Sequence, residues 1–332
     1  MKYKYFLYIA SLFMAFLFSC EKEIEFKGDE VKTKLVLNSI LTPDSVVKIH
    51  LTESRFFLNN ERVFKEINNA TVELWKDGNK IENLSNAGSG YYTGTYIPKE
   101  GDNLRITASC QGFDPVECST EIVIPSPVIS VDTMNFREDR QYSTYYDGNA
   151  FVIDSSVYYQ TINFDMDITF KDPTDIANYY ALNLYLKIYF STGDSTYYPI
   201  GFNSDDMVFQ QTSNEMGFLE DDRNYLRSNL FSDELLDGKE YKLKVKAYNI
   251  GIGKNPYAPE YENPDVIGKE VFVELQSLSP SYYRFRKTRE AGYNVNDIME
   301  YFTEPVQIYS NVKGGIGILG SYSSSVYHIP LK

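Results

Sequence analysis

Short runs that alternate apolar with polar residues recur at close intervals from residue 35 to residue 124, and turn formers separate them. The runs are Leu35 to Leu41, Val46 to Leu51, Ala70 to Trp75, Gly90 to Tyr96, Leu104 to Ala108 and Val116 to Ile124. Neighbouring side chains of a strand point to opposite faces, so each run reads as a strand with one face turned to a core. Thr42-Pro43-Asp44-Ser45 marks a turn after the first run, and Lys76-Asp77-Gly78-Asn79 a hairpin after the third. Roughly seven short strands at this spacing predict an immunoglobulin-like or transthyretin-like β-sandwich over residues 34–125.

Pro125-Ser126-Pro127 then reads as a domain joint, and the remainder, 128–332, as a second β-rich domain. Tyr158 to Phe170, Tyr179 to Phe190, Glu240 to Ala247 and Glu270 to Gln276 alternate as strands. The 29 tyrosines and 21 phenylalanines agree, because aromatic rings suit a pleated, half-buried surface. Ser279-Pro280 opens a helix that Gly292 can close, over about residues 280–292. Tyr282 and Phe285 would dock it on the sheet. Val306 to Tyr309 and Ile316 to Leu319 read as strands with a tight glycine return between them, and Ser321 to Ile329 as another. The segment 279–332 is expected to belong to the second domain.

The N-terminus gives an address. Met1-Lys2-Tyr3-Lys4 is a short basic start, and Phe6 to Phe18 carries no charge. That run is too short to span a membrane, which takes roughly 20 apolar residues, and fits an export signal over residues 1–19. Leu17-Phe18-Ser19-Cys20 resembles a bacterial lipobox, which implies that Cys20 is acylated and holds the chain on the lipid bilayer. One acyl chain binds a membrane only marginally and two or three bind it durably. Glu21, Glu23, Glu25, Asp29 and Glu30 follow, in a polar tether over 20–33. They resemble the acidic tag of surface-displayed lipoproteins in Bacteroidota, which implies an outer-membrane protein facing the cell exterior.

Chemistry is much less legible. With 46 acidic against 32 basic residues, net −14, the chain lacks the electrostatic footprint of a nucleic-acid binder. Gly315-Ile316-Gly317-Ile318-Leu319-Gly320 spells a dinucleotide fingerprint, but no helix and no acidic residue follow at the required distance, so these glycines read as sites of close backbone packing. His50 and His328 are the only histidines, both in strand contexts, with no nucleophile elbow and no metalloprotease motif to go with them. Asp205-Asp206, Glu220-Asp221-Asp222 and Asp233-Glu234 lack calcium-loop spacing and read as solvated loops rather than as calcium ligands or a glycosidase pair. No catalytic residue, metal site or cofactor is expected.

Cys110 and Cys118 flank Gln111-Gly112-Phe113-Asp114-Pro115. If Gly112 pairs with Val116, the two thiols face each other, and a disulfide is expected in an exported protein; two free thiols on one face are the alternative. Arg284, Arg286, Lys287 and Arg289 form a basic island on the helix, either a contact patch for lipid phosphates or an acidic partner, or a solvated face. Tyr-Tyr pairs at 91–92, 145–146, 158–159, 179–180, 197–198 and 282–283 either cover both faces of a sheet or leave one ring exposed for binding.

Asp172-Pro173 with Asn178-Tyr179-Tyr180, Phe231 to Leu235 before Gly238, Leu278 to Arg284, and Glu304 to Val312 with Gly314 to Ile318 resemble recurring segments of one family. It comprises Bacteroidota outer-membrane lipoproteins known as domain of unknown function 4249. The resemblance implies a cell-envelope lipoprotein, often encoded near TonB-dependent outer-membrane receptors, and carries over no functional residue. A non-catalytic binding lipoprotein, accessory to such a transporter, is the expected function. A structural or adhesive surface module is the alternative, and a hydrolase of extracellular polymers the third reading.

Overall fold

The computed structural model describes residues 32–55, 63–174, 176–209, 228–236, 238–254, 266–293 and 307–331. The expected export signal, Cys20, most of the expected tether, Glu220-Asp221-Asp222 and Glu304 to Val306 lie outside them. The described chain is mainly β. Eight strands come first: β1 (Leu35–Leu41), β2 (Lys48–Glu53), β3 (Thr71–Lys76), β4 (Asn79–Asn83), β5 (Ser85–Gly88), β6 (Tyr91–Thr93), β7 (Asn103–Ser109) and β8 (Val116–Glu121). The longer strands β9 (Val128–Tyr146), β10 (Phe151–Lys171) and β11 (Tyr179–Phe190) follow. Then come β12 (Ser195–Pro199), β13 (Gly201–Asn203), β14 (Leu230–Ser232), β15 (Glu240–Lys254), β16 (Val266–Leu278), helix α1 (Pro280–Tyr293) and β17 (Ile316–Leu331).

The alternation seen in the sequence becomes burial. In β1, Leu35, Leu37 and Leu41 are buried and Asn38 is exposed. In β7, Leu104, Ile106 and Ala108 are buried while Asn103 and Ser109 are exposed. The β3–β4 hairpin turns on Asp77 and Gly78, both at positive φ (49° and 83°). That is the mirror-image turn whose twist matches the flanking strands.

Among the described residues three sheets enclose two large cores. A nine-stranded sheet runs β12-β11-β16-β17-β1-β2-β6-β5, with β14 added on β11. The sheet β4-β3-β7-β8 covers its β1–β2 end, and the sheet β13-β15-β10-β9 covers its β11–β16 end. One core gathers Leu35, Leu37, Ile49, Leu51, Leu74, Tyr92 and Ile106. The other gathers Phe164, Phe170, Tyr180, Leu184, Phe231 and Val273.

The last strand serves both. The first part of β17 pairs in parallel with β1, from Val36↔Ile316 to Leu41↔Ser321, and its remainder pairs antiparallel with β16, from Leu278↔Tyr322 to Lys269↔Leu331. Val312 and Leu319 sit in the first core. The expectation that 279–332 belongs to the second domain is therefore corrected: the segment is shared. Gln307 to Ser310 forms no strand, and the expected glycine hairpin is replaced by one continuous strand starting at Ile316. Asn311 fastens this approach, donating to the carbonyls of Ser119 and Leu319 and accepting from the Leu319 amide. Gly317, at φ 120°, lets the two backbones meet: a Cβ there would fall 2.0 Å from the Leu37 carbonyl oxygen. Packing, not phosphate binding, explains that glycine.

The joint at 125–127 is not a loose linker. Ser126 is buried, its amide donates to Ser277 Oγ (3.0 Å), and its hydroxyl meets the Tyr180 phenol (2.9 Å). Tyr180 also donates to Asp172 Oδ1 (2.5 Å), and the other oxygen of that fully buried carboxyl accepts from the Gly238 amide (2.8 Å). Burial, and then the Asp172 hydrogen bond, push the Tyr180 phenol pKa upward.

Candidate binding surfaces

β9 and β10 continue past the body as an arm. From Met134 to Tyr146 every β9 residue is exposed, a rise of about 40 Å at strand spacing. β15 supports the arm as far as the Tyr158↔Lys254 pair; beyond it, among the described residues, the hairpin continues with Asp154↔Ser143, Ile153↔Thr144, Val152↔Tyr145 and Phe151↔Tyr146. The tip is built as a fixed turn. Asp147 Oδ1 accepts from the amides of Asn149 (2.8 Å) and Ala150 (2.9 Å), and these bonds hold the Asp147 carboxyl below the usual range.

The tip carries apolar rings. Tyr145, Tyr146, Phe151 and Ile153 are 53%, 60%, 79% and 64% exposed, and the Tyr146 and Phe151 rings lie 5.4 Å apart. Period-two alternation puts Tyr146, Phe151 and Ile153 on one face and Tyr145 on the other. Phe170 packs on Tyr180, level with Ser323 of β17, whereas Phe164 aligns through Ala247 with Phe202, near Leu184 and Tyr327. The arm thus runs in the direction of β17 and leaves the body opposite the end where β1 begins.

Other tyrosine pairs divide. Tyr92, Tyr180 and Tyr283 are buried, with Tyr91 exposed and Tyr179 and Tyr282 half-buried, while Tyr197 and Tyr198 are both exposed on β12. Tyr158-Tyr159 pairs through its backbone only as far as the structure describes it. Among the described pairs, Tyr145-Tyr146 and Tyr197-Tyr198 expose both rings.

The expected disulfide is absent: Cys110 and Cys118 are free thiols. The register differs from the one that would oppose them. Val116 pairs with Ala108 rather than Gly112, so Cys118 faces Ile106 and Cys110 falls in the turn, its Sγ 3.3 Å from Asn69 Oδ1. Cys118 is buried, and burial, with Glu117 adding, pushes its thiol up to about 12. Alkylation of the native protein at pH 8 is therefore expected to label Cys110 and spare Cys118 until denaturant is added. Equal labelling of both, or of neither without prior reduction, would contradict this register; peptide mass spectrometry reads the result.

The basic island is also divided. Arg286 turns inward, donating to Asn229 Oδ1 (2.7 Å), pairing with Glu290 (3.5 Å) and lying over Tyr282. Arg289 lies over the Phe285 ring and Arg284 over Tyr309, and Lys287 is half-buried. Tyr283, stacked on Tyr179 at 4.5 Å, docks α1 together with Tyr282, in place of the expected Phe285. His50 stacks on Tyr91 (4.4 Å), and His328 meets Glu270 (3.3 Å) and Phe272. Asp205 pairs with Lys246, Asp206 accepts from Tyr241, and Asp233 accepts from the Asn178 amide. Among the described residues no cluster of three or more His, Cys, Asp or Glu side chains could hold a metal ion. Among the same residues no helix is long and apolar enough to cross a membrane.

The family model described as domain of unknown function 4249 matches residues 21–328. The chain belongs to this family. The match takes in the arm, both cores and the shared strand. No curated protein matches the chain. A solved structure described as "Structural basis for the promiscuous specificity of the carbohydrate-binding modules from the beta-sandwich super family" aligns at 8% identity over 67% of this chain and 93% of its own. Its TM-score of 0.18 is too low to carry an argument.

Proposed function

We propose that this member of the family is a non-catalytic binding lipoprotein, held on the outward face of the outer membrane through Cys20 and accessory to a TonB-dependent transporter. The observation that supports a binding role is the arm. Exposed apolar residues scattered singly are ordinary, but rings gathered on a hydrogen-bonded turn at the end of a long hairpin form a preorganised contact. Tyrosine and phenylalanine bring large contact area at low entropic cost, the chemistry of interface anchors.

The test is co-purification from detergent-solubilised outer membrane with the full chain as bait. The expected result is a stoichiometric transporter with the native chain and at least a tenfold loss with Tyr145→Ser, Tyr146→Ser and Phe151→Ser combined, as removal of about 1.4 kcal/mol or more of anchoring implies. These positions lie outside both cores, so the variant should melt as the native protein does. A native chain that brings down no transporter would favour the structural or adhesive module. Undiminished capture by the triple variant would remove the arm from the interface.

A further inference from the structure

A cleft of about 650 Å³ opens where the sheet β4-β3-β7-β8 meets the start of α1 and the segment 309–313. Its size falls within the range of small-ligand sites, roughly 300–1,000 Å³. Two cations line it. Arg284 is exposed beside the Tyr309 ring, and Lys313 is fixed by a backbone bridge, its amide donating to the Glu117 carbonyl (2.8 Å) and its carbonyl accepting from the Glu117 amide (3.1 Å). The carboxylates of Asp77, on the β3–β4 turn, and Glu121, at the end of β8, line it too. A further cation in the lining, Arg105, is already engaged by Glu117 (2.9 Å) and by the Trp75 ring.

Arg284, Lys313, Asp77 and Glu121 line one cleft with both signs of charge, yet none of the four makes an ion pair among the described residues. Four opposed charges that do not close on one another leave room for a ligand carrying both signs. Ser279 already caps the first turn of α1, its Oγ accepting from the Tyr282 amide.

We infer that this cleft binds a small zwitterion, a short peptide with free termini: Arg284 and Lys313 take the carboxylate, and Asp77 and Glu121 take the ammonium. Hydrogen bonds between ionised groups are about twice as strong as neutral ones, so both ends of the peptide contribute to its capture. The site is distinct from the arm and does not depend on it.

Titration calorimetry of the full chain with tetra-alanine, at low ionic strength, tests the inference. Free tetra-alanine is expected to bind, and N-acetylation or C-amidation of the probe to weaken it at least tenfold each, as loss of one charge-assisted contact implies. Arg284→Gln with Lys313→Gln should abolish the penalty for amidation while keeping the penalty for acetylation. Asp77→Asn with Glu121→Gln should do the reverse. All four side chains lie outside the cores, so unchanged melting of the variants is the control. No binding of free tetra-alanine, or capping effects that survive both double variants, would overturn the assignment. Tighter binding of digalacturonate than of tetra-alanine would overturn it in favour of an acidic sugar.

Discussion

A chain that stops at Gly315 is expected to yield no soluble folded protein. The strand it would lose lies between β1 and β16, so its removal opens two interior edges at once. Buried Ile318, Leu319, Ser321 and Ser323 go with it. Newly opened edges have no covering strand, and their unpaired amides and carbonyls invite pairing between molecules. The loss also exceeds what a fold stable by about 5–15 kcal/mol can absorb. Expression of the truncated chain beside the native one, followed by limited proteolysis, reads the outcome. A truncated product that stays soluble and unfolds cooperatively would show that β17 is dispensable and that the two cores stand independently.

Asp172→Ala is expected to lower stability by about 3 kcal/mol, large for a change of one side chain, because it leaves the half-buried Gly238 amide unpaired and the buried Tyr180 phenol with the buried Ser126 alone. The carboxyl is the point at which the end of β10, the start of β11, the turn at Gly238 and the 125–127 joint meet. Asp172→Asn keeps an acceptor for one of the two donors and should cost markedly less. Urea unfolding monitored by tyrosine fluorescence gives both values, with the midpoint falling and the slope unchanged. A loss below about 1 kcal/mol for the alanine variant would mean that the joint does not depend on this network.

Local structure was legible in the sequence where its cause is local. β1 and β11 fall on the residues that alternation marked, α1 opens at Pro280 as Ser279-Pro280 required, and the Asp77-Gly78 turn is the hairpin expected. The parallel pairing of β1 with β17 was not legible, because nothing in Leu35 to Leu41 names a partner near the end of the chain. The same blindness produced the Cys110–Cys118 error: a strand's alternation fixes its faces but leaves its register to the turn. The arm is not legible because its outer strands are polar on both faces, Arg137 to Arg140 above all, and Tyr145-Tyr146 alone stands out. The cleft joins residues as far apart as Asp77 and Lys313, and no spacing rule reaches across such a distance.

The shared strand also sets an order in time. Val36 and Ile316, partners in the sheet, stand 280 positions apart in the chain. Contacts at such separation form late, because the loop between them must close first. For an exported chain, as proposed above, lateness is useful. The part that leaves the cell interior first cannot finish its sheet until the part that leaves last has arrived, so the polypeptide stays threadable throughout its passage. The corresponding liability is that β1 waits with an open edge, and that interval is when an escort for the unfinished chain matters most.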